Sequence, residues 1–343
     1  MHATLDMRSQ RNRTWQERLA ARVNARLARS GRMVVARIHG GGLGDTFCLT
    51  SVMREIHRRY GWRFVVVTRF PELFRHHPLV DRLYAYTELG FLHRRAIKWM
   101  LRHCTESGPD SRVARFEYAP GRMPSRDEFL RDHRRRISLA QLHSEHWGLG
   151  LDYANLRNDV HFGADEIVQL ANALPAATPY ALIKPTANSR WTPNKDWSHE
   201  RFQDVVDAFP RVTWVQTGER DEPPLRGVID WRGRSSLREL LYIVSRARLV
   251  LGPEGFLNHA ASAFDVPSIV VASGYAHPEL ALYASTIAVV RSPQVPCAPC
   301  WLREPCPVPG KPCTGDITVH EVASAVNAVL ASPIVREPQS VIL

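Results

Sequence analysis

The chain runs the same alternation of strand and helix twice. MVVARI (33–38) is a short apolar run that reads as a buried strand, and a helical pattern follows over 46–60. RFVVVT (63–68) and VDRLYAY (80–86) read as two further strands. After a linker at Pro175–Pro179 the rhythm restarts. YALIKP (180–185), VTWVQTG (212–218), LVLGPEG (249–255) and PSIVVASG (267–274) read as strands. Between them, 199–209, 235–247 and 256–264 carry helical spacing. Strands that alternate with helices must run parallel, because each helix carries the chain back to the starting edge. The expectation is an α/β chain with two doubly wound sheets, one over 33–175 and one over 178–335. In this architecture ligands gather beyond the carboxyl ends of the strands, so the strand-to-helix turns matter most.

The first such turn is HGGGLGDTFC (39–48), with glycines at 40, 41, 42 and 44. It lacks the spacing of a dinucleotide fingerprint, and no Gly-Lys-Ser/Thr follows, so it is not the phosphate loop of a nucleotide triphosphatase. Asp45 stands at the helix start instead. Helix capping accounts for an aspartate there, and so does a general base at the sheet's carboxyl edge. The loop KPTANSRWTPNKDW (184–197) sets hydroxyls, Asn188, Arg190 and Lys195 after a strand, a set able to hold a diphosphate, although a surface lysine needs no such duty. In GPEGFLNHAA (252–261) a strand passes directly into a helix beside Glu254. His259 there reads equally as a core histidine and as a ligand contact.

Charge narrows the partners. The formal net charge is +11, a balance that favours nucleic acid, an anionic membrane surface or phosphorylated substrates. Residues 11–30 form an amphipathic pattern, with Trp15, Leu19, Val23 and Leu27 at four-residue spacing beside Arg18, Arg22, Arg26 and Arg29. It reads as a helix packed on its own domain or on a second subunit, as a membrane-surface helix, or as a leader. Residues 93–136 hold twelve Arg or Lys against six acids. They read as helices near 91–103 and 125–146 around an irregular basic stretch, either a solvated face or a lobe for an anionic substrate. No run of about 18 apolar residues occurs, and the start of the chain lacks the apolar centre of a secretory signal. The expected compartment is the cytoplasm.

The thiols are unevenly spread. Cys48 and Cys104 are isolated, whereas Cys297, Cys300, Cys306 and Cys313 share one window, C-x2-C-x5-C-x6-C, with five prolines. A tetrahedral zinc or iron site suits such a set. Free thiols and disulfides are the alternatives. Four thiolates leave no open metal position, so the expected role is structural.

Taken together, GGLGDTFCLTSVMREIHRRYG resembles the opening motif of the heptosyltransferase family, glycosyltransferase family nine. NKDWSHERF resembles that family's Lys-x-Trp-Pro-x-x-x-Phe stretch, and the run from WRGRSSLREL to PSIVVASG resembles its C-terminal signature. The likeness covers 33–90 and 178–330 and is weak over 91–175. It implies two facing Rossmann-like domains of the GT-B type with a cleft between them, and an inverting transfer that needs no catalytic cofactor. The implied donor is a nucleotide sugar, typically ADP-heptose, and the implied acceptor a lipopolysaccharide-like or other glycan. That the acceptor is anionic and that the chain touches the inner membrane surface are expectations from charge. Asp45 matches the family's catalytic aspartate and Lys195 the lysine thought to steady the diphosphate. Further donor contacts implied by the resemblance are Gly42, Gly44, Thr217, Gly218, Glu219, Glu254, Gly255, Asn258 and His259, with Arg190 at the diphosphate. The chain departs from the family at Glu254-Gly255, where Asp-Ser-Gly is common, and at Ser198, where a proline usually follows the tryptophan. The helix before Met33 is additional. Other readings are a related transferase that modifies protein or uses another sugar nucleotide, a family member that binds without catalysis, and a nucleic-acid-binding protein with a metal knuckle. The basic runs lack the interleaved aromatics that stack on bases, which counts against the last.

Overall fold

The computed structural model describes residues 14–38, 42–104, 111–115, 156–173, 179–187 and 191–333. The expected helix at 125–146 and most of the basic stretch lie outside them, as do Arg190 and the glycines at 40 and 41.

A helix, α1 (Trp15–Arg29), leads into strand β1 (Arg32–Arg37). Its start is closed by a capping box in which Thr14 and Glu17 bond reciprocally. Helices α2 (Leu43–Phe47) and α3 (Leu49–Tyr60) follow, then strands β2 (Arg63–Thr68) and β3 (Val80–Ala85). The single helix expected at 46–60 is two, which meet at Cys48, a residue whose side chain is buried. Helix α4 (Phe91–His103) matches expectation, and strand β4 (Val113–Arg115) emerges from the basic stretch. These strands form one parallel sheet in the order β3-β2-β1-β4.

Helix α5 (Ala164–Ala171) precedes the second sheet. That sheet is built from β5 (Ala181–Ile183), β6 (Trp214–Gln216), β7 (Ile229–Asp230), β8 (Leu249–Pro253), β9 (Ser268–Ala272) and β10 (Thr286–Val290). Its helices are α6 (His199–Ala208), α7 (Leu237–Arg246), α8 (Phe256–Ser262), α9 (Pro312–Gly315) and α10 (Val319–Ala331). All strands run parallel in the order β10-β9-β8-β5-β6-β7.

Alternation along the strands sends neighbouring side chains into different apolar clusters. Met33, Val35, Phe64 and Val66 of the first sheet share one buried cluster with Leu182, Val215 and Val250 of the second. The intervening residues face outward. Val34, Ala36, Val67 and Val113 pack with Ala20 of α1 and Leu101 of α4. Ala181, Ile183, Leu249, Leu251, Ile269 and Val271 pack under α6 and α10. The two sheets are therefore joined through a common apolar layer, and each fully buried side chain in it contributes about 1.5–3 kcal/mol.

Candidate active site

Two strand-to-helix junctions meet across that shared layer. On the first side β1 ends and α2 begins. Asp45 is the third residue of α2, and its carboxylate accepts the backbone N–H of Gly42, so the capping expected for it is made. The capped carboxylate keeps solvent access, with 19% of its side chain exposed, and the buried Arg37 guanidinium lies 3.9 Å away. Phe47, two residues on, packs against Phe256 of α8 with ring centroids 6.0 Å apart.

On the second side β8 ends and α8 begins. Glu254 is 4% exposed and accepts from the Ser273 backbone N–H at 3.0 Å. Burial pushes its carboxyl up to about 7, against the pull of Lys195, whose ammonium is 4.0 Å away. Lys195 also lies 5.0 Å over the ring of Tyr275. Gly255 caps α8 in extended backbone. Asn258 is buried, its amide donating to Ala281 O and accepting from Ser268 Oγ at 2.6 Å and Thr286 Oγ1 at 3.0 Å. Those bonds use the side chain inside the second sheet, so Asn258 stands behind the site and supports it.

His259 joins the two sides. A methyl group added at Gly44 would fall 2.5 Å from His259 Cδ2, so only glycine lets α2 and α8 approach this closely. The ring is buried, and His259 Nδ1 lies 2.5 Å from the Tyr283 hydroxyl. That hydroxyl takes a bond from Asn158 Nδ2 at 3.0 Å, which leaves its own hydrogen for the imidazole. The imidazole proton then sits on Nε2, beside Gly44. Burial, with Lys195 nearby, holds His259 down to about 4, so it is neutral at physiological pH. Cys48 Sγ completes the knot, 3.6 Å from His259 Nδ1 and 3.5 Å from Tyr283 Oη. Burial raises this thiol to about 12, which keeps it protonated and inert. Cys48, Asn158 and Tyr283 escape sequence reasoning because 235 residues separate Cys48 from Tyr283 and no local motif marks any of them.

The remaining expected donor contacts cluster at the end of β6. Thr217 is buried, and its Oγ1 has no hydrogen-bond partner among the described residues. Gly218 lies against the Glu222 carboxylate, which is paired with Lys184. Glu219 is exposed. The structure thus brings Gly44 against His259, Phe47 against Phe256, and Lys195 against Glu254, with Asp45 on the same short helix as Gly44 and Phe47. Gly42 is exposed at the start of α2.

The cysteine-rich loop lies over the end of β9. A methyl group at Gly274 would fall 2.9 Å from Cys313 Cβ, so the loop rests directly on that backbone. All six cysteines are free thiols. Cys297, Cys300, Cys306 and Cys313 are close enough that burial and their mutual charge raise the Cys300 and Cys313 thiols. Among the described residues, no group of three or more His, Cys, Asp or Glu side chains stands at metal-ligating spacing. The four thiols are donor types that suit zinc or iron, and they share this one loop.

The profile of glycosyltransferase family 9 (heptosyltransferase) matches residues 134–310, just over half of the chain. The chain belongs to glycosyltransferase family 9. Solved structures agree in architecture. The family 9 glycosyl transferase of Veillonella parvula is 14% identical with a TM-score of 0.58, over 87% of this chain and 97% of that one. The ADP-heptose lps heptosyltransferase II of E. coli is 13% identical with a TM-score of 0.59, over 87% and 98%. The iron-containing dodecameric glycosyltransferase TibC of enterotoxigenic E. coli is 16% identical with a TM-score of 0.60, over 87% and 76%. At these identities the likeness is one of fold: two Rossmann-like domains of the GT-B type. Comparison with curated proteins gives no match. The family 9 chain is a glycosyltransferase, and its two sheets are the expected pair.

Proposed function

We propose that this glycosyltransferase moves a heptose from ADP-heptose to a hydroxyl of an anionic, lipopolysaccharide-like glycan, inverting the anomeric centre. The observation that carries the reading is the packing of α2 on α8. It sets Gly44, next to the solvent-accessible Asp45, against His259, five residues on from Glu254, whose carboxylate pairs with Lys195 of a separate turn. An acceptor hydroxyl is a weak nucleophile at neutral pH. Asp45 takes its proton as the oxygen attacks the anomeric carbon from the face opposite the nucleotide. The new C–O bond forms as the bond to the diphosphate breaks, and the electron pair leaves with ADP. Lys195 meets the negative charge that grows on the diphosphate. The step is assigned to protein side chains, with no cofactor.

The same reading puts the reaction at the inner face of the cytoplasmic membrane. Trp15 and Leu19 of α1 and Phe91 and Leu92 of α4 are exposed apolar side chains. Exposed Arg18, Arg22, Arg26, Arg29, Arg95, Lys98 and Arg102 surround them on the same two helices, which pack together through Val23, Leu27, Ile97 and Leu101. Aromatic and aliphatic tips ringed by cations suit an anionic bilayer surface. No helix among the described residues is long and apolar enough to cross one.

A thermal-shift screen with sugar nucleotides tests the donor. ADP-heptose is expected to stabilise the protein, and UDP- and GDP-sugars to leave it unchanged. A response confined to UDP- or GDP-sugars would reassign the donor. Stabilisation by duplex DNA with no sugar-nucleotide response would sink the reading.

A further inference from the structure

We infer that Asn194 is a positioning residue for donor binding, fastening the Lys195 turn to the cysteine-rich loop so that the loop sets where the Lys195 ammonium stands. The inference rests on the reading of Lys195 as the contact to the donor diphosphate.

Lys195 closes a single turn of 3-10 helix, Pro193–Lys195. The residue before it is buried, and its amide uses every group it has. Asn194 Nδ2 donates to Leu302 O at 2.9 Å and to Glu304 O at 2.7 Å, and Oδ1 accepts from the Cys306 backbone N–H at 2.9 Å. Two carbonyls and one N–H call for two donors and one acceptor on a short neutral side chain, which asparagine supplies. An aspartate would set a carboxylate against two carbonyl oxygens.

The neighbours of Asn194 repeat the pattern. Thr192 Oγ1 donates to Leu302 O at 2.8 Å and accepts the Asn194 N–H at 3.2 Å. On the other side of Lys195, the Asp196 carbonyl accepts from Lys311 Nζ and from Thr314 Oγ1 at 3.4 Å. The loop is in turn tied to the end of β9, where Cys300 N donates to Gly274 O at 2.9 Å and Trp301 N to Tyr275 O at 3.0 Å. Tyr275 is the ring beneath the Lys195 ammonium. The lysine and the aromatic surface it rests on are therefore both indexed to one loop. Prolines at 299, 305, 307, 309 and 312 restrict that loop's backbone, so the carbonyls offered to Asn194 are preset.

The test measures ADP binding to the full chain by calorimetry. Asn194→Ala is expected to raise the ADP dissociation constant about tenfold, because a small displacement of a positioned charge is felt strongly. Lys195→Ala should weaken ADP at least as much, and the double variant should be no weaker than Lys195→Ala alone, since Asn194 acts through that lysine. Additive losses would overturn the assignment. Thr192→Val removes both bonds of the Thr192 hydroxyl at nearly constant shape, so it carries the test if Asn194→Ala fails to fold. Its expected loss is about threefold. A second measurement is independent of donor chemistry: acylation of Lys195 by an amine-reactive ester, read by mass spectrometry against the exposed Lys98. Asn194→Ala should speed labelling of Lys195 about tenfold while Lys98 is unchanged. Equal labelling in parent and variant would refute the clamp. A parent that labels as expected but ignores ADP would instead sink the donor reading.

Discussion

The junctions at β1–α2 and β8–α8 are built alike and set to different work. Each turns from a parallel strand into a short helix and carries one acid at the sheet's carboxyl edge. Asp45 caps its own helix and keeps solvent access, with 19% of the side chain exposed. Glu254 is sealed under Ser273 and Lys195, and its carboxyl is pushed up to about 7. The fold supplies the position of an acid, and depth of burial decides its duty. A reachable carboxylate can take a proton from a substrate. A sealed one of near-neutral pKa adjusts its charge to what arrives beside it.

The sharpest way to break this contrast is Asp45→Ala. Turnover should fall by about a hundredfold or more while ADP affinity is held, as measured by initial rates and calorimetry. Unchanged turnover would remove Asp45 from the chemistry and make both acids structural. Next in size is Gly44→Ala, which drives a methyl group into the buried His259 ring. Crowding of this kind costs about 1–3 kcal/mol, to be read as a lower unfolding midpoint in denaturant. A wild-type midpoint would mean that the two junctions are not in contact in solution.

A smaller effect should follow pH. The Glu254 carboxyl is raised in the folded chain, so its proton stabilises the fold fully below its ordinary value of 4.5, and that contribution is lost as pH rises through about 7. A bound diphosphate favours the protonated form further. ADP affinity in the parent should therefore weaken several-fold from pH 7 to pH 8, at less than about tenfold per unit. Glu254→Gln should flatten that slope. A slope that survives the substitution would assign it to another group.

The smallest expected effect concerns the outer face of the first sheet. Trp15→Ser with Phe91→Ser should reduce co-sedimentation with phosphatidylglycerol vesicles about fivefold and leave ADP affinity unchanged, given the apolar area removed. Equal sedimentation of parent and variant would detach this face from any membrane role.

Much of this was legible in the sequence because it is local. Strands at 33–38, 63–68 and 80–86 and the helix at 91–103 follow from spacing alone, and the second sheet declared itself through LVLGPEG and PSIVVASG. What could not be read is what depends on distant partners. Strand β4 hides in an arginine-rich stretch, and its pairing with β1 comes from Val113 and Ala114 filling that sheet. The junction at Cys48 carries a buried thiol whose partner, Tyr283, lies far along the chain. Asn194 looked like one more polar loop residue beside Lys195. Its value appears only when Leu302, Glu304 and Cys306 are folded over it.

The apolar layer shared by the two sheets carries a consequence for handling the molecule. Each half borrows part of its cover from the other, so a fragment cut near residue 178 would leave Phe47 wet on one piece and Phe256 wet on the other. Expressed apart, the pieces should clump, and mixed together they should recover one another.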